Sequence, residues 1–156
     1  MSTSIRLVPP SASRPPLTDG DVIDFVSARL AEEDPDTELA PGRVHCSSRW
    51  ILADRTEEML GFLAIRHRLT PYLLDQGGHI GYSVRPSARR RGVAGTALAR
   101  ALTEARDLHI DPVLVTCDDD NLGSRRTIEC NGGVLEDIRA GKRRYWIGEG
   151  TRPVGP

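Results

Sequence analysis

Aromatic residues are scarce, at 4% of a 156-residue chain. A core must therefore be filled by Val, Ile, Leu and Ala, and a stacking platform for single-stranded nucleic acid has no material to be built from. Excess charge is also missing. The formal net charge is −1 with 28% charged residues, so no overall field draws the chain to nucleic acid or to a membrane, and neither is an expected partner. No apolar run reaches the roughly 18 residues that span a bilayer, and Met1–Ser4 is polar where a secretory signal needs an apolar stretch, so the expected location is cytoplasmic. Cysteine is confined to Cys46, Cys117 and Cys130. An odd, widely spaced set suggests neither a disulfide framework nor a zinc knuckle, and reduced thiols are expected.

The length suits one domain, expected over residues 1–148 with a frayed tail at 149–156. Ile5–Val8 reads as an edge strand stopped by Pro9-Pro10, and Pro9–Pro16 as a connector. Thr18 or Asp19 can cap a helix that carries Val22, Ile23, Val26 and Leu30 on one face and ends near Glu33. Arg49–Ala53 and Met59–Ile65 read as a hairpin, and His79–Val84 as a central strand entered through Gly77-Gly78 and halted at Arg85-Pro86. The strongest period follows: Val93, Ala94, Ala97, Leu98, Ala101, Leu102 and Ala105 recur at helical spacing. Val113–Cys117 is then a strand that should lie parallel to His79–Val84 through a right-handed crossover. A short helix at Ser124–Cys130 ends at Asn131-Gly132-Gly133, and Val134–Arg139 and Lys142–Ile147 flank a tight turn at Ala140-Gly141.

Chemistry concentrates where strand gives way to helix, at Arg89-Arg90-Arg91-Gly92-Val93-Ala94-Gly95. Small residues there let consecutive backbone N–H groups approach an anion at a helix N-terminus, and the arginines add forked cationic donors. A pyrophosphate fits; so does a tight turn with a solvated basic patch. The dinucleotide fingerprint does not, because its three spaced glycines and later acid are missing.

These residues resemble the acetyl-CoA signature of the GNAT N-acetyltransferase superfamily, which is Arg or Gln, two residues, Gly, one residue, then Gly or Ala. Arg89, Gly92 and Ala94 fill it, and the resemblance runs from about Arg49 to Ile147. His79-Ile80-Gly81-Tyr82, Val84-Arg85-Pro86 and Ile128-Glu129 leading to Asn131-Gly132-Gly133 are similar to a bacterial branch of predicted acetyltransferases. The resemblance implies an α/β fold with a mixed, mostly antiparallel sheet, splayed at its centre and flanked by helices on both faces. It implies acetyl-CoA as co-substrate, with the pantetheine arm paired to the backbone around Val84 and the pyrophosphate held by amides from Arg90 through Val93 to Gly95. Asn121 and Ser124 match the family's Asn and Ser or Ala that line the coenzyme. It further implies direct transfer of acetyl to an amine of a small molecule or peptide, and it allows a homodimer paired through the last strands.

Two positions depart from the pattern. Four residues after Ser124, where the superfamily often has a tyrosine to protonate the leaving thiolate, stands Ile128. Tyr82 or Tyr145 could serve instead, solvent could, or activity could be lost; the competing reading is a non-catalytic acyl-CoA-binding or sensor domain. The N-terminal part shows one helix where the superfamily commonly has two. A base near neutral pKa suits deprotonation of the amine. His79 is the first choice, because related sequences carry a glutamate there, and His67 is the second. For each the alternative is a hydrogen-bonding side chain at a strand end. A backbone N–H near Val84 would meet the oxyanion.

Other clusters take plainer readings. Asp118-Asp119-Asp120-Asn121 lacks the later Gly and Glu of a calcium loop and reads as a polar turn with a helix cap; no metal is expected. His45-Cys46 offers only two adjacent ligands. Arg66-His67-Arg68 is not interleaved with aromatics as an RNA face would be. Trp50, Tyr72 and Trp146 either line an acceptor cleft or serve as core or interface.

Overall fold

The computed structural model describes residues 3–10 and 20–149. Thr18 and Asp19, most of the Pro9–Pro16 connector and residues 150–156 lie outside the described residues.

Alternating apolar positions and helical periodicity produce, in chain order, β1 (Ile5–Val8), α1 (Gly20–Glu33), β2 (Cys46–Ala53), β3 (Met59–Arg66), β4 (Ile80–Val84), α2 (Val93–Asp107), β5 (Val113–Asp118), α3 (Leu122–Cys130), β6 (Val134–Arg139) and β7 (Lys142–Ile147). The strands form one sheet in the order β1-β2-β3-β4-β5-β7-β6. Every neighbouring pair is antiparallel except β4 and β5, which are parallel around the α2 crossover. The expected mixed, mostly antiparallel architecture is what the chain adopts.

One face of the sheet packs against α2. Ala97, Ala101 and Ala105 are fully buried along the helix, and their small side chains let it settle close onto Ile65, Ile80, Val113 and Val115. α1 covers the opposite face at β2, where Val26 meets Trp50 and Leu52. Trp50 is thus core, not cleft wall. Gly61 marks a bulge where β2 and β3 shift register. A Cβ there would sit 2.1 Å from the Ser83 carbonyl oxygen, so only glycine lets β3 and β4 approach.

Several bounds differ from expectation: β3 and β5 run one residue further, to Arg66 and Asp118, and α3 begins at Leu122, two residues before Ser124, because Asn121 caps it. β2 begins at Cys46, three residues before Arg49, because the polar Cys46-Ser47-Ser48 segment pairs with Ala64–Arg66 and the ladder satisfies its backbone. β4 begins at Ile80, leaving His79 just outside. The Thr70–Gly78 loop contains a π-helical turn at Leu73–Gly77. The last hairpin closes through Ala140 and Gly141, both at positive φ (47° and 78°), as a two-residue turn of this twist demands.

Candidate active site

β4 and β5 share a single bridge, Ile80 opposite Val115. Past it the strands diverge, so β4 from Gly81 to Val84 has no ladder partner on its β5 side while it stays paired to β3 on the other. A half-paired strand edge in the middle of a sheet is an opening into which an extended, hydrogen-bonding ligand can insert.

The opening leads to the start of α2. Arg85-Pro86 ends the strand, a 3₁₀ turn at Pro86–Ala88 redirects the chain, and Arg89 Nε donates to the Val84 carbonyl at 3.0 Å. Arg90 (φ 60°) and the N-cap Gly92 (φ 76°) both take the left-handed conformation, which swings the chain into the helix. Among the described residues no backbone N–H from Arg90 to Gly95 donates to a protein acceptor. The first turn carries no acidic residue, and space lies open where a Cβ on Gly95 would stand. Val93 is buried and anchors the turn. These are the requirements of a diphosphate cradle.

α3 starts beyond the end of β5, across the gap from β4 and on the same face of the sheet as α2. Asn121 caps it, its Oδ1 accepting the Ser124 N–H at 3.1 Å. The Tyr82 hydroxyl is buried beside the α3 residues Ser124 and Thr127 and has no hydrogen-bond partner among the described residues. Burial pushes its pKa up, with the two hydroxyls opposing the shift. Ser124 and Thr127 are its polar neighbours, and with no bond of ordinary geometry to either, the phenol can turn to a ligand atom. Tyr145, by contrast, is committed: its hydroxyl donates to Glu129 Oε1 at 2.9 Å.

The family model described as the acetyltransferase (GNAT) domain matches residues 5–134. The chain belongs to the GNAT acetyltransferase family. The match reaches back to β1, well ahead of Arg49, where the likeness in the sequence begins. Solved acetyltransferase structures share the fold at low identity. An acetyltransferase from Agrobacterium tumefaciens is 17% identical with a TM-score of 0.62, covering 96% of this chain and 94% of that one. The spermidine/spermine N-acetyltransferase SpeG from Vibrio cholerae is 14% identical with a TM-score of 0.61, covering 94% of each. The Campylobacter jejuni N-acetyltransferase PseH, solved with acetyl coenzyme A, is 12% identical with a TM-score of 0.60, covering 94% of this chain and 99% of that one. No curated protein sequence matches.

Within this GNAT framework His79 stands next to the β4–β5 bridge, at the closed end of the opening, and His67 follows the end of β3. His79 is buried, its ring Nδ1 accepting the Leu114 N–H at 2.9 Å while its backbone N–H donates to the Leu114 carbonyl at 2.7 Å. Desolvation first, and then the Arg66 charge, lowers its pKa to about 4. The neutral ring's lone pair is therefore occupied by the Leu114 N–H. His67 contacts Ser47 Oγ through Nε2 at 2.8 Å, and burial lowers its pKa, offset in part by Glu33. It belongs to a polar knot around Arg49, which bonds Glu33 at 2.7 Å and Glu104 at 3.0 Å. Glu104 lies roughly 18 Å along α2 from Gly92, at about 1.5 Å per residue.

Of the remaining aromatics, Tyr72 is exposed, and Trp146 stands edge-on to His79 at 6.4 Å while its Nε1 donates to Glu136. Asp118 pairs with Lys142 and Asp119 with Arg143. No group of three potential metal ligands converges among the described residues. Arg66, weighed in the sequence only as part of a basic Arg66-His67-Arg68 run, closes β3. Its position at the end of the Phe62, Ala64, Arg66 alternation is the signal that could have placed it beside the opening.

Proposed function

We propose that the protein transfers the acetyl group of acetyl-CoA to a primary amine in a direct ternary complex. The observation that carries this reading is the unpaired β4 edge, Gly81 to Val84, leading straight into the free amides of Arg90 to Gly95. The pantetheine arm is bound as an added strand along that edge, and the pyrophosphate by the amides with Arg89, Arg90 and Arg91 around them. Asn121 holds the start of α3 as the far wall, and Ser124 lines it.

Acetyl-CoA supplies an activated thioester. The chain's part is to hold it, to polarise its carbonyl with a backbone N–H near Val84, and to donate a proton from the Tyr82 hydroxyl to the sulfur as the carbon–sulfur bond breaks and the carbon–nitrogen bond forms. Tyr82 takes the role left open by Ile128, which is fully buried in the core. We do not assign His79 or His67 as base; the amine's proton passes to water, and water returns a proton to the Tyr82 phenolate before the next turnover. The expected setting is cytoplasmic.

Calorimetric titration with acetyl-CoA, followed by thiol release against a panel of amines, tests the reading. Binding with release is expected. Binding without release from any amine would favour a sensor domain, and absence of binding would remove the coenzyme site.

A further inference from the structure

α2 and α3 lie on one side of the opening, so an acceptor must reach it from the other face of the sheet. There α1 covers β2, and the π-turn Leu73–Gly77 covers β5 and β7 through bonds from Thr116 Oγ1 to the Gln76 carbonyl (2.7 Å) and from Arg144 Nε to the Leu74 carbonyl (2.8 Å). Between them, among the described residues, no element covers the face at β3 and β4. Phe62 stands opposite Ser83 and Ala64 opposite Gly81; Phe62 is 56% exposed and Ser83 is exposed as well. At the inner end of this trough lies the guanidinium of Arg66. Its Nη1 and Nη2 sit 3.5 Å from the point where a Cβ on Gly81 would be, over the first β4 residue past the β4–β5 bridge.

The Arg66 guanidinium donates through Nη1 to the Gly77 and Gly78 carbonyls, both at 3.1 Å, and forms no ion pair among the described residues. Other cations around this end of the sheet are matched: Arg144 with Glu136 and Asp137, Arg139 with Asp75, and Lys142 with Asp118. A half-buried arginine with unused forked donors, beside a glycine that clears space for it and at the mouth of a reaction site, is suited to a planar or tetrahedral oxyanion.

We propose that the amine acceptor carries an oxyanion, a carboxylate or a phosphate, bound by the Nε and Nη2 edge of Arg66 on the face of the sheet opposite α2. This rests on the acetyl-transfer reading above. The exposed Phe62 ring along the same trough favours acceptors with an apolar portion.

The test uses the full chain saturated with acetyl-CoA and reads thiol release from matched amines: tyrosine against tyramine, and phosphoethanolamine against ethanolamine. At least one oxyanion-bearing member is expected to exceed its partner about tenfold in kcat/KM, the size of a charged hydrogen-bond contribution. Which pair responds distinguishes carboxylate from phosphate. Arg66→Gln is expected to raise the KM of the preferred member about tenfold while its partner's KM and the affinity for acetyl-CoA stay within about twofold. If Arg66 only caps the π-turn carbonyls, both KM values rise together, and the inference fails. Release from tyramine or ethanolamine equal to or better than from their oxyanion partners overturns it while leaving acetyl transfer intact. Release from no amine overturns both.

Discussion

The imidazole of His79 accepts the backbone N–H of Leu114 at 2.9 Å, locking the start of β4 to β5 just before the two strands part. The bond needs a neutral ring, and the pKa of about 4 measures how strongly the folded chain resists protonating it. The unfolded value is near 6.5, so the unfolded chain binds the extra proton first. Stability from this group is complete above pH 6.5 and is lost as pH falls toward 4. Between pH 7 and pH 5 the loss is about 2 kcal/mol. Urea unfolding at the two pH values should show it. His79→Asn, whose Oδ1 can accept the same N–H without titrating, should flatten it; an equal pH slope in both proteins would assign it elsewhere.

Tyr82→Phe separates chemistry from folding. Removing a buried hydroxyl that has no partner should leave the protein at least as stable, within about 1 kcal/mol, and leave acetyl-CoA affinity unchanged. Turnover should fall by about 10²-fold or more, as for loss of a positioned proton donor. Parallel thermal melts and thiol-release assays decide; full turnover in the variant would return the proton to solvent or another donor.

Gly92→Glu should abolish detectable acetyl-CoA binding in calorimetry. The residue sits at φ 76°, where a side chain adds about 1–2 kcal/mol of strain, and a carboxylate there repels phosphate. Gly92→Ala isolates the strain and should keep measurable binding. Equal affinity for glutamate and alanine variants would show that charge at this turn does not matter.

The pH dependence of kcat/KM should follow the amine's own ionisation. With the lone pair of His79 occupied and His67 in the knot around Arg49, no break is expected near pH 6.5; the rate should climb until the acceptor is largely deprotonated. Two amines of different pKa should give profiles displaced by that difference. A shared inflection near neutrality for both would identify an enzyme base.

The geometry of the turn into α2 was legible because its causes are local. A strand halted by Arg85-Pro86, a glycine at the helix cap and small residues in the first turn act within one or two turns of chain. Asn121 and Ser124, three residues apart, satisfy each other in the same way. The π-turn at Leu73–Gly77 escaped notice because its stability is borrowed from Arg144 and Thr116, distant residues that reach its carbonyls. Tyr82 and Tyr145 were equivalent donors until folding supplied Glu129 to one of them and left the other without a partner.

By itself the sequence determined the order of the elements, the parallel crossover pair and the glycine-capped start of α2, since each rests on periodicity, turn chemistry or capping among near neighbours. Tertiary structure alone decided which ionisable groups can act. His79 became an acceptor for Leu114, Tyr82 a buried phenol facing α3, and Arg66 a cation with open donors beside the β4–β5 gap. Proton affinity and hydrogen-bond capacity depend on burial and on partners brought in from remote parts of the chain, and those exist only once the sheet has closed around them.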